Sequence, residues 1–407
     1  EARVDDLMGR LTLDEKILLL AGESSMTLNP IERLGIPSIR MTDGPTGVRS
    51  PEGKPATVFP VGVAMAATWN PDLTAKVGAA IGKETIAHGA DVLLAPTVNI
   101  VRTPRWGRNF ETYSEDPYLA GQIGLGYVKG AQGAGIGVSL KHFAANNQET
   151  NRFIVDSVVD PRTLREIYLQ AFETVIKQGD PWSVMASYNK INGTHAAENR
   201  WLLTDLLKTE WGYKGFVMSD WGSVHSTASI LAGLDQQSGE QLDKKRYFTT
   251  ELDKALADGS VPHEAVDTAG LRILGTIYPQ RLGANPNGAK RAIDYDANAR
   301  IAERAADEAI VLLRNEGVLP LASSAKRIAL IGGHADIGVL SGGGSSQVAP
   351  VGGFRLLEKA GTGAAATFAR RGYGGLAPLQ ALRPAFSGAH IAYLYGTDPP
   401  HAARAAR

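Results

Sequence analysis

The chain has 407 residues and carries 42 Lys or Arg against 42 Asp or Glu, so its formal net charge is zero at neutral pH. This balance gives no argument for nucleic acid or an anionic membrane as a partner. The absence of Cys excludes disulfides, thiolate metal sites and a Cys nucleophile. With 43% apolar residues, 46 Gly and 21 Pro, the composition is typical of a globular, loop-rich protein with room for two or more domains.

Neither a membrane span nor a signal peptide is visible in the sequence. No run approaches the roughly 18 consecutive apolar residues that a membrane-spanning helix needs. Residues 1–4 do not form a signal peptide, which leaves open whether a signal has been removed from a mature form.

Strands and helices alternate through the first two thirds of the chain. A Thr12–Glu15 capping box predicts two short helices within residues 4–20. Further helices begin at Asn70-Pro71, Asp116-Pro117 and Asp160-Pro161, where a capping residue precedes a proline, and a fourth covers residues 199–211. The predicted strands are residues 36–44, 91–95, 137–140, 182–187 and 215–219.

This alternation predicts an α/β fold built on a parallel sheet with right-handed crossovers. At least five such strands in about 280 residues favour a (β/α)8-like TIM barrel over an open doubly wound sheet. No G-x-G-x-x-G follows an early strand, which argues against a dinucleotide-binding domain. We therefore assign residues 1–283 to a barrel.

The composition changes after the predicted barrel. Residues 284–296 begin with a turn-rich stretch and are predicted to be a linker. Residues 297–407 are predicted to open a second α/β domain, with a helix over residues 297–315, a buried strand at 327–331 and another strand at 390–395. The glycine- and serine-rich residues 341–347 lack a following Gly-Lys-Ser/Thr, so we interpret them as a flexible loop facing the barrel mouth rather than a phosphate loop.

Polar side chains recur at one position relative to the predicted strands. They follow four different strands, as Asp43, Lys141-His142, Tyr188-Asn189 and Asp220-Trp221. Each has a structural explanation when taken alone, and Asp220, for example, could cap the next helix. The carboxyl ends of barrel strands converge on one mouth, however, so four such sites together indicate a functional cavity.

These residue types suit a polyhydroxylated substrate. Carboxylates accept hydrogen bonds from sugar hydroxyls, cationic side chains donate to them, and Trp and Tyr offer flat faces to a sugar ring. The carboxylate of Asp220 could attack an anomeric carbon to form a glycosyl ester. A catalytic metal is disfavoured because the eight His are scattered and no H-E-x-x-H spacing occurs. A Schiff base on Lys141, as in barrel aldolases, remains the more serious alternative.

Four long motifs then identify a family resemblance. They are TDGPTGVR at 42–49, PRWGRNFETYSEDP at 104–117, KHFAANNQE at 141–149 and SDW at 219–221. In this order, over residues 3–283, the chain resembles glycoside hydrolase family 3. Residues 327–382 also resemble the start of that family's second domain, an α/β sandwich, so residues 297–407 are expected to be an incomplete sandwich.

The resemblance implies a retaining, exo-acting β-glucosidase that releases terminal non-reducing β-D-glucosyl residues through a covalent intermediate on Asp220. Asp43, Arg108, Lys141, His142 and Tyr188 match positions that hold the sugar, and Trp221 matches the aromatic residue beside it. Met185 is assigned to the same pocket, with a buried strand methionine as the alternative. No cofactor or metal is expected. The expected partner is a small-molecule or oligosaccharide β-glucoside, with no nucleic acid or membrane partner, a possible homo-oligomer, and a secreted or periplasmic location.

The chain also departs from the family pattern. Its KHF motif continues as AANNQE rather than Pro-Gly-His-Gly, which disfavours an N-acetylhexosaminidase. Residues 233–239 read GLDQQSG where many members have Gly-Leu-Asp and then an acidic-Met-Pro segment, which puts rim contacts and aglycone preference in doubt.

The general acid is the larger departure. Retaining hydrolysis needs a second carboxyl group, and the family's acid/base Glu is expected downstream of residue 407. Glu303, Glu308 and Glu316 are interpreted as solvated residues. We expect further sequence beyond this point, where a subset of the family has an inserted PA14-type module. A β-xylosidase, another β-glycosidase of the family, or a non-hydrolytic sugar-binding protein if the acid is absent, remain as alternatives.

Overall fold

The computed structural model describes residues 2–50, 53–281, 292–340, 342–353, 355–359 and 370–405. At the centre of this part of the chain is a five-stranded parallel sheet whose strands lie side by side in chain order. The strands are Met41–Asp43, Val92–Leu94, Gly137–Phe143, Ser183–Ala186 and Phe216–Ser219. Every residue in them is buried, which is typical of a parallel sheet covered on both faces.

The helices between these strands begin where the sequence predicts. Pro71–Ala87, Pro117–Gly133 and Pro161–Thr163 are each capped by the preceding Asn or Asp side chain, as when Asn70 accepts from the backbone N–H of Leu73 at 3.0 Å. The third continues as a wider turn over Leu164–Leu169 and then as Gln170–Gly179. The remaining elements of the barrel region are Ala2–Arg10, Leu13–Leu19, Gly22–Ser24, Thr27–Leu28, Glu32–Leu34, Gly62–Ala67, Asn109–Glu111, Asp156–Ser157, Lys190–Ile191, Thr194–His195, Ala196–Glu198, Trp201–Glu210, Ser229–Ala232, Glu240–Leu242, Thr250–Ala257 and His263–Arg281.

Short backbone pairings continue the sheet beyond its fifth strand and close it into a ring. Gln236 pairs with Met218, and Gln237 pairs with Ala21, both in parallel. The hairpin that follows Ala21 then pairs in antiparallel fashion, through Thr27, with Arg40 just before the first strand. Because each neighbour is joined in turn, the strand ends surround one mouth.

The structure differs from an eight-stranded (β/α)8 barrel. Within the described residues, the central sheet has five strands, and the rest of the ring is made of single bridges and one antiparallel segment. Gly233 and Gly239 both have positive φ, so the chain turns on each side of the Gln236–Gln237 pairing. The pairing is therefore not extended into a full strand. Thr250–Ala257 and His263–Arg281 then follow each other with no strand between them.

In the second region, the described residues form four further strands in two separate pairs. Arg327–Ile331 pairs in parallel with His390–Leu394, and Arg355–Lys359 pairs in antiparallel fashion with Arg370–Tyr373. The region's helices are Tyr295–Ala309, Pro378–Ala385 and Pro399–Ala405, with a short turn at Gly344–Ser346. Residues 284–291 of the predicted linker lie outside the described residues, and the division into domains stays a prediction.

Two predictions for this region are wrong. The helix predicted to reach residue 315 ends at Ala309, because the β-branched Ile310 adopts an extended conformation, with φ −80° and ψ 112°. The strand Arg327–Ile331 is not buried: its two end residues are exposed and its centre is half-buried. Among the described helices, none is long and apolar enough to cross a membrane.

Gly239 lies where the closing segment of the ring passes the indole of Trp221. The indole Nε1 donates to the backbone carbonyl of Ser25, at 2.7 Å, and so ties the closing hairpin to the fifth strand. Gly239 has φ +62°, and a Cβ atom there would overlap the five-membered ring of Trp221. A side chain at this position must therefore displace the indole.

We expect Gly239→Ala to destabilise the fold by about 2–4 kcal/mol, combining backbone strain with steric overlap. Gly35→Ala is the matched control, because Gly35 has φ +68° but nothing lies within 4 Å of its added Cβ. Urea unfolding monitored by Trp fluorescence measures both variants. Equal losses of unfolding free energy in the two variants would show that displacing the Trp221 indole does not destabilise the fold.

Candidate active site

The structure brings five of the predicted polar side chains into one buried cluster at the strand ends. Asp43 is the last residue of the first strand, and Lys141 and His142 lie within the third. Tyr188 lies two residues beyond the fourth strand, and Asp220 follows the fifth directly. Each is less than a tenth exposed. The third strand extends past the predicted residue 140, so its two cationic groups belong to the strand itself.

Asp220 is held by one of its two carboxylate oxygens. Its Oδ1 accepts from the Tyr188 hydroxyl at 2.6 Å and from the backbone N–H of Trp221 at 2.8 Å. Its Oδ2 lies 3.7 Å from Nε2 of His142, which is beyond hydrogen-bond distance. Burial raises the pKa of Asp220, while the Tyr188 hydrogen bond and nearby cations act in the opposite direction.

His142 is clamped between an amide and a guanidinium. The amide oxygen of Asn99 accepts from the backbone N–H of His142 at 2.8 Å and lies 3.3 Å from its Nδ1. Arg108 Nη2 lies 3.1 Å from Nε2. Burial lowers the pKa of His142 well below its ordinary value, and the charges of Arg108, Lys141 and Arg152 lower it further. The ring is therefore neutral, and these partners place its proton on Nδ1, with Nε2 accepting from Arg108.

Arg108 is fixed in turn by Glu111, one turn further along the chain. The Glu111 carboxylate accepts from Nε and Nη2 of Arg108 and is itself almost fully buried. Burial opposes the charge of Arg108, but the carboxylates of Glu111, Glu149 and Asp220 outweigh it and raise its pKa. Burial likewise opposes the Glu111 charge, but Arg108 and Lys141 overcome this and lower its pKa. The two groups therefore remain charged in the interior.

Each oxygen of the Asp43 carboxylate lies near a different cationic side chain. Arg49 Nη1 lies 3.2 Å from Oδ2, and Lys141 Nζ lies 3.8 Å from Oδ1. The Lys141 side chain is only 2% exposed, so this carboxylate is its nearest compensating charge. A cation and a carboxylate side by side present a donor and an acceptor to any hydroxyl group that enters.

A further cation, Arg152, forms one wall of the cluster. Its guanidinium lies 4.4 Å from the ring centre of Tyr188 and 2.8 Å from the carboxylate of Glu149. Glu149 also accepts from the Trp106 indole at 2.9 Å. The Phe153 ring packs edge-on against Tyr188, with centroids 4.5 Å apart. This wall is half-exposed, so it borders the cluster on the solvent side.

Two other predicted residues have different surroundings. Trp221 is half-buried beside Asp220 and is fixed by its indole bond to Ser25. Met185 belongs to the buried apolar core, which agrees with the alternative interpretation of this residue. Its role in a pocket stays a prediction.

Reasoning from the sequence missed five groups that complete the cluster: Arg49, Asn99, Glu111, Glu149 and Arg152. Arg49, Glu111 and Glu149 lie inside the family motifs at 42–49, 104–117 and 141–149, so their positions in those motifs could have identified them. Asn99 and Arg152 lie outside them and depend on how loops fold back, which strand spacing does not reveal. In the part of the chain that the structure describes, no group of three or more His, Asp or Glu side chains is placed to hold a metal ion.

The arrangement combines a partly free carboxylate with a rim of fixed donors and acceptors. It can bind a neutral molecule rich in hydroxyl groups while presenting one nucleophilic oxygen to it. The apolar faces of Trp221 and Phe153 lie beside these polar groups, as in sites that bind sugar rings.

Two family models match the chain. Residues 18–275 match the glycosyl hydrolase family 3 N-terminal domain, and residues 310–403 match the C-terminal domain of the same family. A β-glucosidase of Rhizobium radiobacter is 44% identical over 356 residues, which cover 85% of this chain and 43% of the relative. An exo-α-(1→6)-L-arabinopyranosidase of Bifidobacterium longum is 42% identical, over 84% of this chain and 47% of the relative.

Solved structures agree with these sequence relatives. β-Glucosidase 3B of Thermotoga neapolitana, in complex with glucose, superposes with a TM-score of 0.81 at 39% identity, covering 86% of this chain and 52% of that one. DesR, a β-glucosidase of Streptomyces venezuelae in complex with D-glucose, superposes with a TM-score of 0.87 at 36% identity, covering 98% and 50%. The chain thus spans about half the length of its relatives. It belongs to glycosyl hydrolase family 3, with the TIM-barrel-like N-terminal domain of that family followed by its C-terminal domain.

Proposed function

We propose that the protein is a retaining, exo-acting β-glucosidase in which Asp220 is the nucleophile. The observation that carries this proposal is the asymmetric environment of Asp220. Its Oδ1 accepts hydrogen bonds from Tyr188 and Trp221, whereas Oδ2 lies 3.7 Å from Nε2 of His142, beyond hydrogen-bond distance. Relatives at 42–44% identity that are named β-glucosidases support the choice of sugar.

In the first step, Oδ2 of Asp220 attacks the anomeric carbon, and the glycosidic C–O bond breaks. The electron pair of the broken C–O bond leaves with the aglycone oxygen, and a glycosyl ester forms on the carboxylate of Asp220. Water then attacks the same carbon and releases the sugar with its original anomeric configuration. Because neutral His142 cannot neutralise Asp220 by proton transfer, it leaves the carboxylate as an anion for attack.

The remaining cluster residues bind the sugar. Asp43 accepts from hydroxyl groups, while Lys141 and Arg108 donate to them, and Trp221 covers one edge of the ring. A hydroxyl group recognised by such buried charges discriminates strongly against sugars that lack it. The exo action that we propose is supported by the burial of the five strand-end side chains, each of which is less than a tenth exposed.

The leaving oxygen of a natural substrate also needs a proton. In the domain division that we propose, residues 1–283 form the barrel and residues 297–407 belong to a sandwich domain. Location outside the cytoplasm also stays a prediction.

A second candidate substrate is an α-L-arabinopyranoside, because two relatives at 41–42% identity are named exo-α-(1→6)-L-arabinopyranosidases. This sugar presents the same anomeric face but lacks the hydroxymethyl group of a hexose. Comparing kcat/KM for nitrophenyl β-D-glucoside, β-D-xyloside and α-L-arabinopyranoside on the same preparation decides among the three sugars.

The proposal predicts covalent labelling of Asp220. Incubation with 2,4-dinitrophenyl 2-deoxy-2-fluoro-β-D-glucoside should add one fluoroglucosyl group, because its leaving group needs no proton from the protein. Peptide mapping by mass spectrometry locates the label. Asp220→Asn should lower the labelling rate by more than about 10³-fold, since the nucleophile is lost. A label on Asp43 contradicts the proposal, and so does the absence of a label on a protein that binds glucose. In a separate test, borohydride trapping of a carbonyl compound on Lys141 would support the aldolase alternative.

The proposal also predicts how Tyr188 sets the pH dependence of that labelling. The Tyr188 hydroxyl stabilises the ionised form of Asp220, and so lowers the carboxyl pKa that burial has raised. In Tyr188→Phe the acid limb of the labelling rate should therefore move to higher pH. Tyr213→Phe is the matched control, because this buried hydroxyl donates only to backbone carbonyls of Pro181 and Phe216, outside the cluster. An unmoved acid limb in Tyr188→Phe would contradict the assignment.

A further inference from the structure

Residues 342–350, which lie between the strands Arg327–Ile331 and Arg355–Lys359 of the second region, pack against the loops of the barrel mouth. The backbone carbonyl of Ala349 accepts from the N–H of Ala56 at 2.8 Å, and Val348 is buried within the same apolar core as the barrel. A Cβ atom added to Gly342 would lie 3.3 Å from the Phe110 ring, next to Glu111. The segment thus lies against two of the loops that carry site residues.

Ser346 is the point at which this segment reaches the charged cluster. Its side chain is buried, with the residue 1% exposed, and its hydroxyl is hydrogen-bonded to Oε2 of Glu111. Because the Glu111 carboxylate is ionised, it accepts and the serine hydroxyl donates. The backbone carbonyl of Ser346 accepts from Thr46, at 3.3 Å, in the loop that follows Asp43.

The bond to Ser346 is one link in a continuous chain of contacts. The other oxygen of Glu111 binds the guanidinium of Arg108, and Arg108 in turn donates to Nε2 of His142. The two oxygens of one carboxylate therefore connect the second region to the cation at the site. Since Glu111 is fully enclosed, its orientation depends on these two partners rather than on water.

We propose that Ser346 is a positioning residue for the sugar site: through Glu111 it fixes the guanidinium of Arg108 against His142. This rests on the proposed function, because Arg108 is taken to bind the sugar. It makes the affinity of the barrel site depend on a side chain contributed by the C-terminal family domain, although that side chain need not touch the substrate.

Ser346→Ala tests the proposal by structure and by binding. A crystal structure of the variant should show the Arg108 guanidinium moved beyond hydrogen-bond distance of His142 Nε2. The apparent KI for the dinitrophenyl fluoroglucoside should rise about 5- to 20-fold, as expected for the loss of a hydrogen bond to a charged group, while the maximal labelling rate changes less. Ser183→Ala is the matched control, because its hydroxyl is equally buried but lies 3.6 Å from the sulfur of Met218, in the sheet.

A mutant cycle separates positioning from general damage. Arg108→Lys keeps a cation beside Glu111 but loses the planar donor pair, so Ser346→Ala should change KI at most about 2-fold in that background. Equal fold-changes in both backgrounds, or an unmoved Arg108 in the crystal structure, would overturn the proposal. A wild-type chain that binds but takes no label would refute the nucleophile assignment instead, and glucose affinities then replace KI in the same cycle.

Discussion

The burial of several ionisable side chains in one place is the constraint on which the site depends. Taking a charge out of water is costly, so each buried group needs a partner or must become neutral. Arg108 and Glu111 stay charged by pairing, Asp43 is balanced by cations, and His142 gives up its charge. Among the described residues, each of the two aspartates keeps one oxygen beyond hydrogen-bond distance of its neighbour: Oδ1 of Asp43 faces the Lys141 cation at 3.8 Å, whereas Oδ2 of Asp220 faces the neutral His142 ring at 3.7 Å. This difference in charge supports Asp220 as the group that we propose to react.

The backbone supplies this cluster through an irregular ring. Five parallel strands deliver their ends to one mouth, and bridges at Gln236, Gln237 and Thr27 replace further strands. The Trp221 indole donates to the Ser25 carbonyl and so joins the closing hairpin to the end of the fifth strand. Segment 342–350 packs against the loops that follow two of the strands. The site is therefore a property of the ring and of the C-terminal region together.

The sequence predicted those parts of the molecule that local chemistry determines. The sequence correctly predicted the capped helix starts at Asn70 and Asp116 and the buried strand before Asp220. Caps and apolar runs are local signals, which is why these elements were predictable. The closure of the ring beyond the fifth strand could not be predicted, since single bridges have no periodic pattern. Asn99 was also missed, because its contact with His142 joins residues 43 positions apart. Long-range pairing of this kind depends on tertiary packing, which no single motif encodes.

The neutral state of His142 is the most direct consequence of this charge balance. It can be measured by ¹⁵N NMR of the protein labelled in its eight His, with His142→Gln to assign the signal. At pH 6 an ordinary His, with a pKa near 6.5, is mostly protonated. The account predicts that His142 still has a proton on Nδ1 and none on Nε2. A doubly protonated ring at that pH would contradict it, because Arg108 could then no longer donate to Nε2.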